Sequence, residues 1–261
     1  IQVGLVGSEM CIRDRGNKSV YGVSMPSKFS SEHSKFDAEE LAKNLNINYQ
    51  RIFIQNIVDK LVRHINPSRH DEIIEIGPGD GVLTKSIINR VNKMILVEKD
   101  CDLINNLKSS FGEYENTSIL NIDILKYNLG GLNKPMRVVG NLPYNISTEI
   151  IFKMCNCTKI IDMHFMLQKE VVDRIVAKSN SKIYGRLSIM AQTYFDVKKL
   201  FDISENVFSP KPKVKSSFVR LSAREYPFYN KNHEDLFYDI VKSAFEGRRK
   251  MIKTSLKSYL N

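Results

Sequence analysis

A short β-branched run, Ile73-Ile74-Glu75-Ile76, passes directly into Gly77-Pro78-Gly79-Asp80-Gly81 and then into an apolar stretch from Leu83 to Val91 at helical spacing. Strand, glycine turn and helix in that order open a doubly wound α/β sheet whose ligands sit above the strand ends. The spacing narrows the ligand. A dinucleotide site carries G-x-G-x-x-G with the pyrophosphate on the helix N-terminus, whereas this turn reads E-x-G-x-G-x-G with Glu75 just ahead of the glycines. A carboxylate in that place repels phosphate and favours a cationic or amine-bearing ligand. S-adenosylmethionine carries a sulfonium, an ammonium and no phosphate, and fits better than NAD.

The strands that follow repeat one theme. Met94 to Val97 ends at Glu98, placed to accept from two ribose hydroxyls, and Ile119 to Ile122 ends at Asp123, placed to accept from an adenine amine. Met136 to Gly140 ends at Asn141. A single carboxylate at a strand end is usually a helix cap or a solvated group. Polar side chains at the ends of successive strands of one sheet line one crevice.

The segment Asn141-Leu142-Pro143-Tyr144 is the candidate reaction centre. An adenine amine is a poor nucleophile, because its lone pair is delocalised into the ring. Two oxygens accepting both its N–H groups would hold it pyramidal, and the Asn141 side chain plus a backbone carbonyl at Leu142 or Pro143 would supply them. Pro143 stiffens the loop, and Tyr144 can stack on the base for roughly 1–3 kcal/mol. The plainer reading is a surface turn in which the Asn caps and the Tyr packs.

The chain has 261 residues, room for one sizeable core and a smaller appendage. Its 42% hydrophobic and 26% charged content is that of a globular protein. With 39 basic against 29 acidic residues the net charge is +10, which points to an acidic partner, most simply nucleic acid. Candidate phosphate contacts are Lys169 and Arg186, Lys211 and Lys213 around Phe208, and Arg248, Arg249 and Lys250 on an expected final helix. Cys11, Cys101, Cys155 and Cys157 have no paired CxxC spacing, so reduced cytoplasmic thiols and no metal site are expected. No apolar run is long enough to span a membrane. The stretch LVGSEMCIRDR, Leu5 to Arg15, reads more like a translated sequencing adapter than a protein segment. Residues 1–24 are therefore expected to lie outside the fold, with Met25 a candidate start.

These motifs together closely resemble the small-subunit ribosomal RNA adenine N6-dimethyltransferases. The resemblance runs from about Lys43 to the last residue. It rests on EIGPG at Glu75 to Gly79, VEKD at Val97 to Asp100, GNLPYNIST at Gly140 to Thr148 and HFMLQKEVVDRIVA at His164 to Ala177. YGRLSIMAQ at Tyr184 to Gln192, FSPKPKVKSSFVRL at Phe208 to Leu221 and AFEGRRKMIKTSL at Ala244 to Leu256 extend it. GNLPYNIST and HFMLQKEVV are specific signals, whereas EIGPG is generic to methyltransferases. The resemblance implies a Rossmann-like class I methyltransferase domain over 25–223, with helices on both faces of the sheet. It also implies a small, truncated C-terminal helical domain over 224–261.

The resemblance further implies cofactor contacts at Gly77, Glu98, Asp123 and Asn141, to which the reading of the glycine turn adds Glu75 and Gly79, with Tyr144 and Phe208 on the two faces of the target base. The partner it implies is small-subunit ribosomal RNA or its pre-ribosomal particle, met by a monomer. Lys43 to Tyr49 departs from the family's K-x-x-G-Q-N-F opening by lacking the Gly and Gln, and leaves Asn48 as a cofactor candidate. Two other readings stand beside this one. One is a non-catalytic RNA-binding assembly factor on the same scaffold, and the other is an adenine methyltransferase for large-subunit RNA or DNA.

Overall fold

The computed structural model describes residue 16 and residues 21–24, 32–51, 54–204, 214–225, 233–247 and 251–259. Its contacts group into two units, one of residues 1–64 with 204–213 and one of 65–203 with 214–261. In the first unit, strand β1 (Tyr21–Ser24) pairs in parallel with β2 (Asn48–Arg51), in register Tyr21 to Asn48. Helices α1 (Glu32–Asn44) and α2 (Ile54–Ile65) complete it. The sequence suggested no element over Gly16 to Ser24. The short alternation Tyr-Gly-Val-Ser nevertheless suffices for a strand once β2 offers a partner edge. Helix α2 ends where Asn66 turns to a positive φ of 48° ahead of Pro67.

The second unit is built on a seven-stranded sheet of β3 (Glu72–Ile76), β4 (Lys93–Glu98), β5 (Thr117–Asn121), β6 (Met136–Asn141), β7 (Ile160–Gln168), β8 (Phe195–Ile203) and β9 (Ser216–Ala223). The spatial order is β5-β4-β3-β6-β7-β9-β8, parallel from β5 through β7 and antiparallel across β9. The chain therefore walks outward from β3 to β5 and then crosses to β6. That reversal leaves a crevice at the carboxyl ends of β3 and β6, where doubly wound sheets bind ligands.

The near-continuous apolar runs of the parallel strands follow from burial on both faces. Ile74, Val138, Phe165 and Val219 join Ile150 and Ile151 of α5 (Ser147–Cys155), Val172 of α6 (Lys169–Ile175) and Leu187 of α7 (Arg186–Tyr194) in one core. The alternate residue Glu75 faces α3 (Val82–Ile87), and α4 (Cys101–Phe111) places the Phe111 ring against Gly81. Helices thus cover both faces, and the arrangement is Rossmann-like. The helix expected over Leu83 to Val91 is broken after Ile87 by a 3₁₀ turn, Ile88–Arg90. Helix α8 (Glu234–Glu246), the short α9 (Ile252–Ser255) and a 3₁₀ turn, Lys257–Tyr259, follow β9. No described helix is long and apolar enough to cross a membrane.

Candidate active site

The glycine turn after β3 starts with Gly77 at φ 63°, its N–H donating to the Val97 carbonyl at 2.9 Å, and passes through Gly79 at φ 58° and Gly81 at φ 74°. A side chain at any of these positions would be strained in the left-handed region. A Cβ on Gly79 would meet nothing within 4 Å, so the turn presents bare backbone to open space. Gly140 answers a different demand. It is paired with Ile76, and a Cβ there would lie 2.6 Å from the Ile76 carbonyl oxygen. The close approach brings the end of β6 against the glycine turn, with the Asn141 carbonyl 3.9 Å from where a Gly77 Cβ would stand.

Three acids surround this turn in different states. Glu75 is buried, and its Oε2 accepts from the Thr84 hydroxyl at 2.6 Å. Burial pushes its carboxyl up to about 7, only partly offset by the Thr84 bond. Glu98, also buried, fixes one oxygen with the backbone N–H groups of Lys99 and Asp100 at 2.8 and 2.9 Å. Its other oxygen meets only the Gly79 N–H, at a long 3.4 Å, and so keeps accepting capacity toward the turn. Asp123 accepts from the Leu125 N–H at 3.0 Å and pairs with Lys99 Nζ at 3.0 Å, and these two hold its carboxyl below the usual range.

Asn141 is exposed at the end of β6, and its side-chain amide makes no hydrogen bond among the described residues. Leu142 is buried and its N–H donates to the Met166 carbonyl at 3.2 Å, anchoring the loop to β7. The Pro143 carbonyl is taken by the Ile146 N–H at 3.3 Å, whereas the Leu142 carbonyl accepts from no described group. Of the two carbonyls considered from the sequence, Leu142 is the unoccupied one. Half-buried Tyr144 is held by a 2.8 Å bond between its hydroxyl and Ser216 Oγ at the start of β9. Pro143 is exposed, so the loop forms a rim with a fixed ring and a free amide.

The structure brings Gly77, Gly79, Glu75, Glu98, Asp123, Asn141, Leu142, Pro143 and Tyr144 to the carboxyl ends of β3 to β6 and the loops beyond them. Asn48 lies in β2 of the other unit, with its side chain outside the described residues. Phe208, Lys211, Lys213, Arg248, Arg249 and Lys250 lie outside the described residues. Lys169 is ion-paired with Asp173. Arg186 is engaged within the fold, with its guanidinium 4.5 Å from the Tyr238 ring centre, a hydrogen bond to the Tyr238 hydroxyl, and Phe152 at 5.7 Å.

Sequence reasoning missed the supporting residues. Thr84 holds Glu75, Ser216 holds Tyr144, and Asn121 joins β5 to β4 by donating to the Glu98 and Lys99 carbonyls at 3.1 Å. Asn121 stands two residues before Asp123, which gave a local signal. Ser216 is 72 positions from Tyr144 and gave none.

Whether these residues suit S-adenosylmethionine can be tested on the donor set itself. The turn has an open backbone, an acceptor at Glu98 aimed along it, and the Asp123 carboxylate, paired with Lys99, beside it. That set fits a ligand with hydroxyls and positive charge and opposes a pyrophosphate. Cys101, Cys155 and Cys157 are free thiols, and burial pushes Cys155 up to about 12. No metal-ligating cluster occurs among the described residues.

Comparison with known proteins agrees with this geometry. The family model described as "Ribosomal RNA adenine dimethylase" matches residues 42–261. A second model, described as NAD synthase, matches residues 3–76, under a third of the chain, and stops at the last residue of β3. A Francisella tularensis subsp. novicida protein named ribosomal RNA small subunit methyltransferase A is 43% identical over 211 residues, covering 79% of this chain and 80% of its own length. The namesake from Saccharophagus degradans is 45% identical over 209 residues, 78% of each chain. Among solved structures, a dimethyladenosine transferase from Plasmodium falciparum superposes with a TM-score of 0.70 at 27% identity, over 77% of this chain and 73% of its own. The 23S rRNA methyltransferase ErmE gives 0.67 at 22% identity, over 79% and 83%, a likeness of fold. The chain belongs to the ribosomal RNA adenine dimethylase family.

Proposed function

We propose that this chain transfers methyl groups from S-adenosylmethionine to the N6 amines of adenines in small-subunit ribosomal RNA. The observation that carries the reading is Asn141: an exposed, unbonded amide at the end of β6, beside a free Leu142 carbonyl and a tethered Tyr144 ring. Relatives named for small-subunit RNA methylation support the substrate.

The cofactor would be held by Gly77 and Gly79 through their backbone, by Glu98 through its second oxygen, and by Asp123 once Lys99 yields one contact. When bound, it supplies an electrophilic methyl group on a sulfonium. The rest is positioning by the chain. Asn141 Oδ1 and the Leu142 carbonyl accept the two amine hydrogens, so that the nitrogen lone pair points away from the ring and toward the methyl. Tyr144 stacks on a base that has been turned out of its helix, at roughly 1–3 kcal/mol, and Phe208 is the proposed second face. Pro143 restricts the loop, so that the acceptors for the amine would be set in place before the base arrives. The proton leaves after transfer, when the methylated amine is cationic and acidic, so no buried base is required.

The test is mass analysis of adenines in undermethylated small-subunit RNA after incubation with the protein and labelled methyl donor. Asn141→Ala is expected to retain cofactor binding in part and lose roughly 10²–10³ in turnover, as when one preorganised polar group is removed. Turnover at the wild-type level would remove Asn141 from the mechanism. No incorporation by the wild type would leave an RNA-binding factor on this scaffold.

A further inference from the structure

We propose that a second groove, at the amino-terminal ends of the strands and opposite the reaction centre, binds RNA phosphates and holds the substrate particle. This rests on the RNA reading above and adds a surface to it. The groove has a volume of about 580 Å³. One wall is the turn from Lys126 to Leu132, shaped by Asn128 accepting from the Gly130 N–H at 3.0 Å. The other is the end of α5 with residues 156–159, fastened by Lys153 Nζ donating to the Leu125 carbonyl at 2.9 Å.

Its lining carries Lys126, Lys153 and Lys159, with Tyr127, Asn128 and Asn156, and no carboxylate. Lys99, Lys134, Lys169 and Lys199 each touch an acid. Lys126 and Lys159 are exposed and ion-paired with no described residue, Asp123 acting on Lys126 only from a distance. The adjoining groove, by comparison, sets Glu72 and Glu115 beside Lys93 and Lys134. Unneutralised cations around amide donors and one aromatic ring match a phosphodiester chain, and each such contact releases condensed counterions. Strand β6 spans the interval from this edge to Asn141, about 17 Å at ~3.3 Å per residue. A folded RNA could therefore contact both ends of the sheet at once.

The experiment uses the full chain and the double variant Lys126→Gln/Lys159→Gln, which leaves the structural bond of Lys153 in place. Binding to protein-free small-subunit RNA and to the intact particle is followed between about 50 and 200 mM salt. The expected result is a slope of log K against log salt shallower by about 1.4, from two single-strand phosphate contacts at ~0.7 each, on both substrates. S-adenosylmethionine binding and the thermal midpoint stay at wild-type values. An unchanged slope on both substrates overturns the proposal. A loss confined to the particle also overturns it, by assigning the groove to an acidic ribosomal protein. If the wild type itself shows no salt-dependent RNA binding, the functional reading fails first.

Discussion

Burial brings the titration of Glu75 up to neutral pH, and this sets a measurable property of the unliganded protein. Its carboxyl titrates at 4.5 when solvated and at about 7 in the fold, because burial disfavours the anion. A raised folded value means that the stability it contributes is complete below pH 4.5 and is lost as pH climbs through about 7. The rise corresponds to about 3 kcal/mol. Glu75→Gln keeps an acceptor for the Thr84 hydroxyl and cannot ionise. In urea unfolding at pH 5 and pH 8, the variant is expected to lose about 2.5 kcal/mol less than wild type between the two, since part of the contribution is already gone at pH 5. Equal losses in both proteins would show that the fold tolerates the charge. A cationic ligand beside Glu75 would return the group to its ionised form, so the burial that costs stability without ligand favours a cation with it. The sequence announced Glu75 by its place before the glycines, but not its burial or its bond to Thr84.

Elements position the site through β6. In β6 the pattern apolar, then Gly, then amide was legible because each residue type has a local reason: Val138 and Val139 are buried, and Gly140 leaves space for Ile76. Adding a methyl group as Gly140→Ala forces a backbone oxygen and a Cβ apart from 2.6 Å, and overpacking of this kind costs about 1–3 kcal/mol. Equilibrium unfolding should show that loss, and methyl transfer should fall with it, since Asn141 is the next residue. Wild-type stability would mean that β3 and β6 can slide apart freely. Strand β5 was less legible. Ile119 to Ile122 reads as one apolar run, yet the strand ends at Asn121, level with Glu98, the last residue of its partner β4, and the chain then turns at Asp123. Ile124 is buried under that turn, so burial continues after the strand has stopped, and hydrophobicity alone cannot mark the boundary. The same holds for the helix after the glycine turn, where apolar spacing continues through Ile88 although the α geometry ends at Ile87.

At the scale of the whole molecule, net charge and binding energy answer to different parts of the chain. The charge of +10 was visible in composition, but its distribution was not, because Lys169 and Lys199 share Asp173 and Arg186 is spent on Tyr238. Binding of the methyl donor can be read as stability instead. A ligand that binds only the folded state at a hundred times its Kd adds about 2.7 kcal/mol, or roughly 5–10 °C in the midpoint of a domain of about 200 residues. S-adenosylmethionine is expected to produce such a shift and NAD none, since the carboxylates around the glycine turn oppose a pyrophosphate. Glu98→Gln sharpens the test. It preserves the oxygen that accepts from Lys99 and Asp100 and converts the one facing Gly79 into a donor. A lost hydrogen bond to a charged group is worth about 1.5–3 kcal/mol, so affinity should drop roughly 10- to 150-fold while the unliganded midpoint moves little. A midpoint shift from NAD, or an undiminished response of Glu98→Gln to S-adenosylmethionine, would place the cofactor somewhere other than the crevice between β3 and β6.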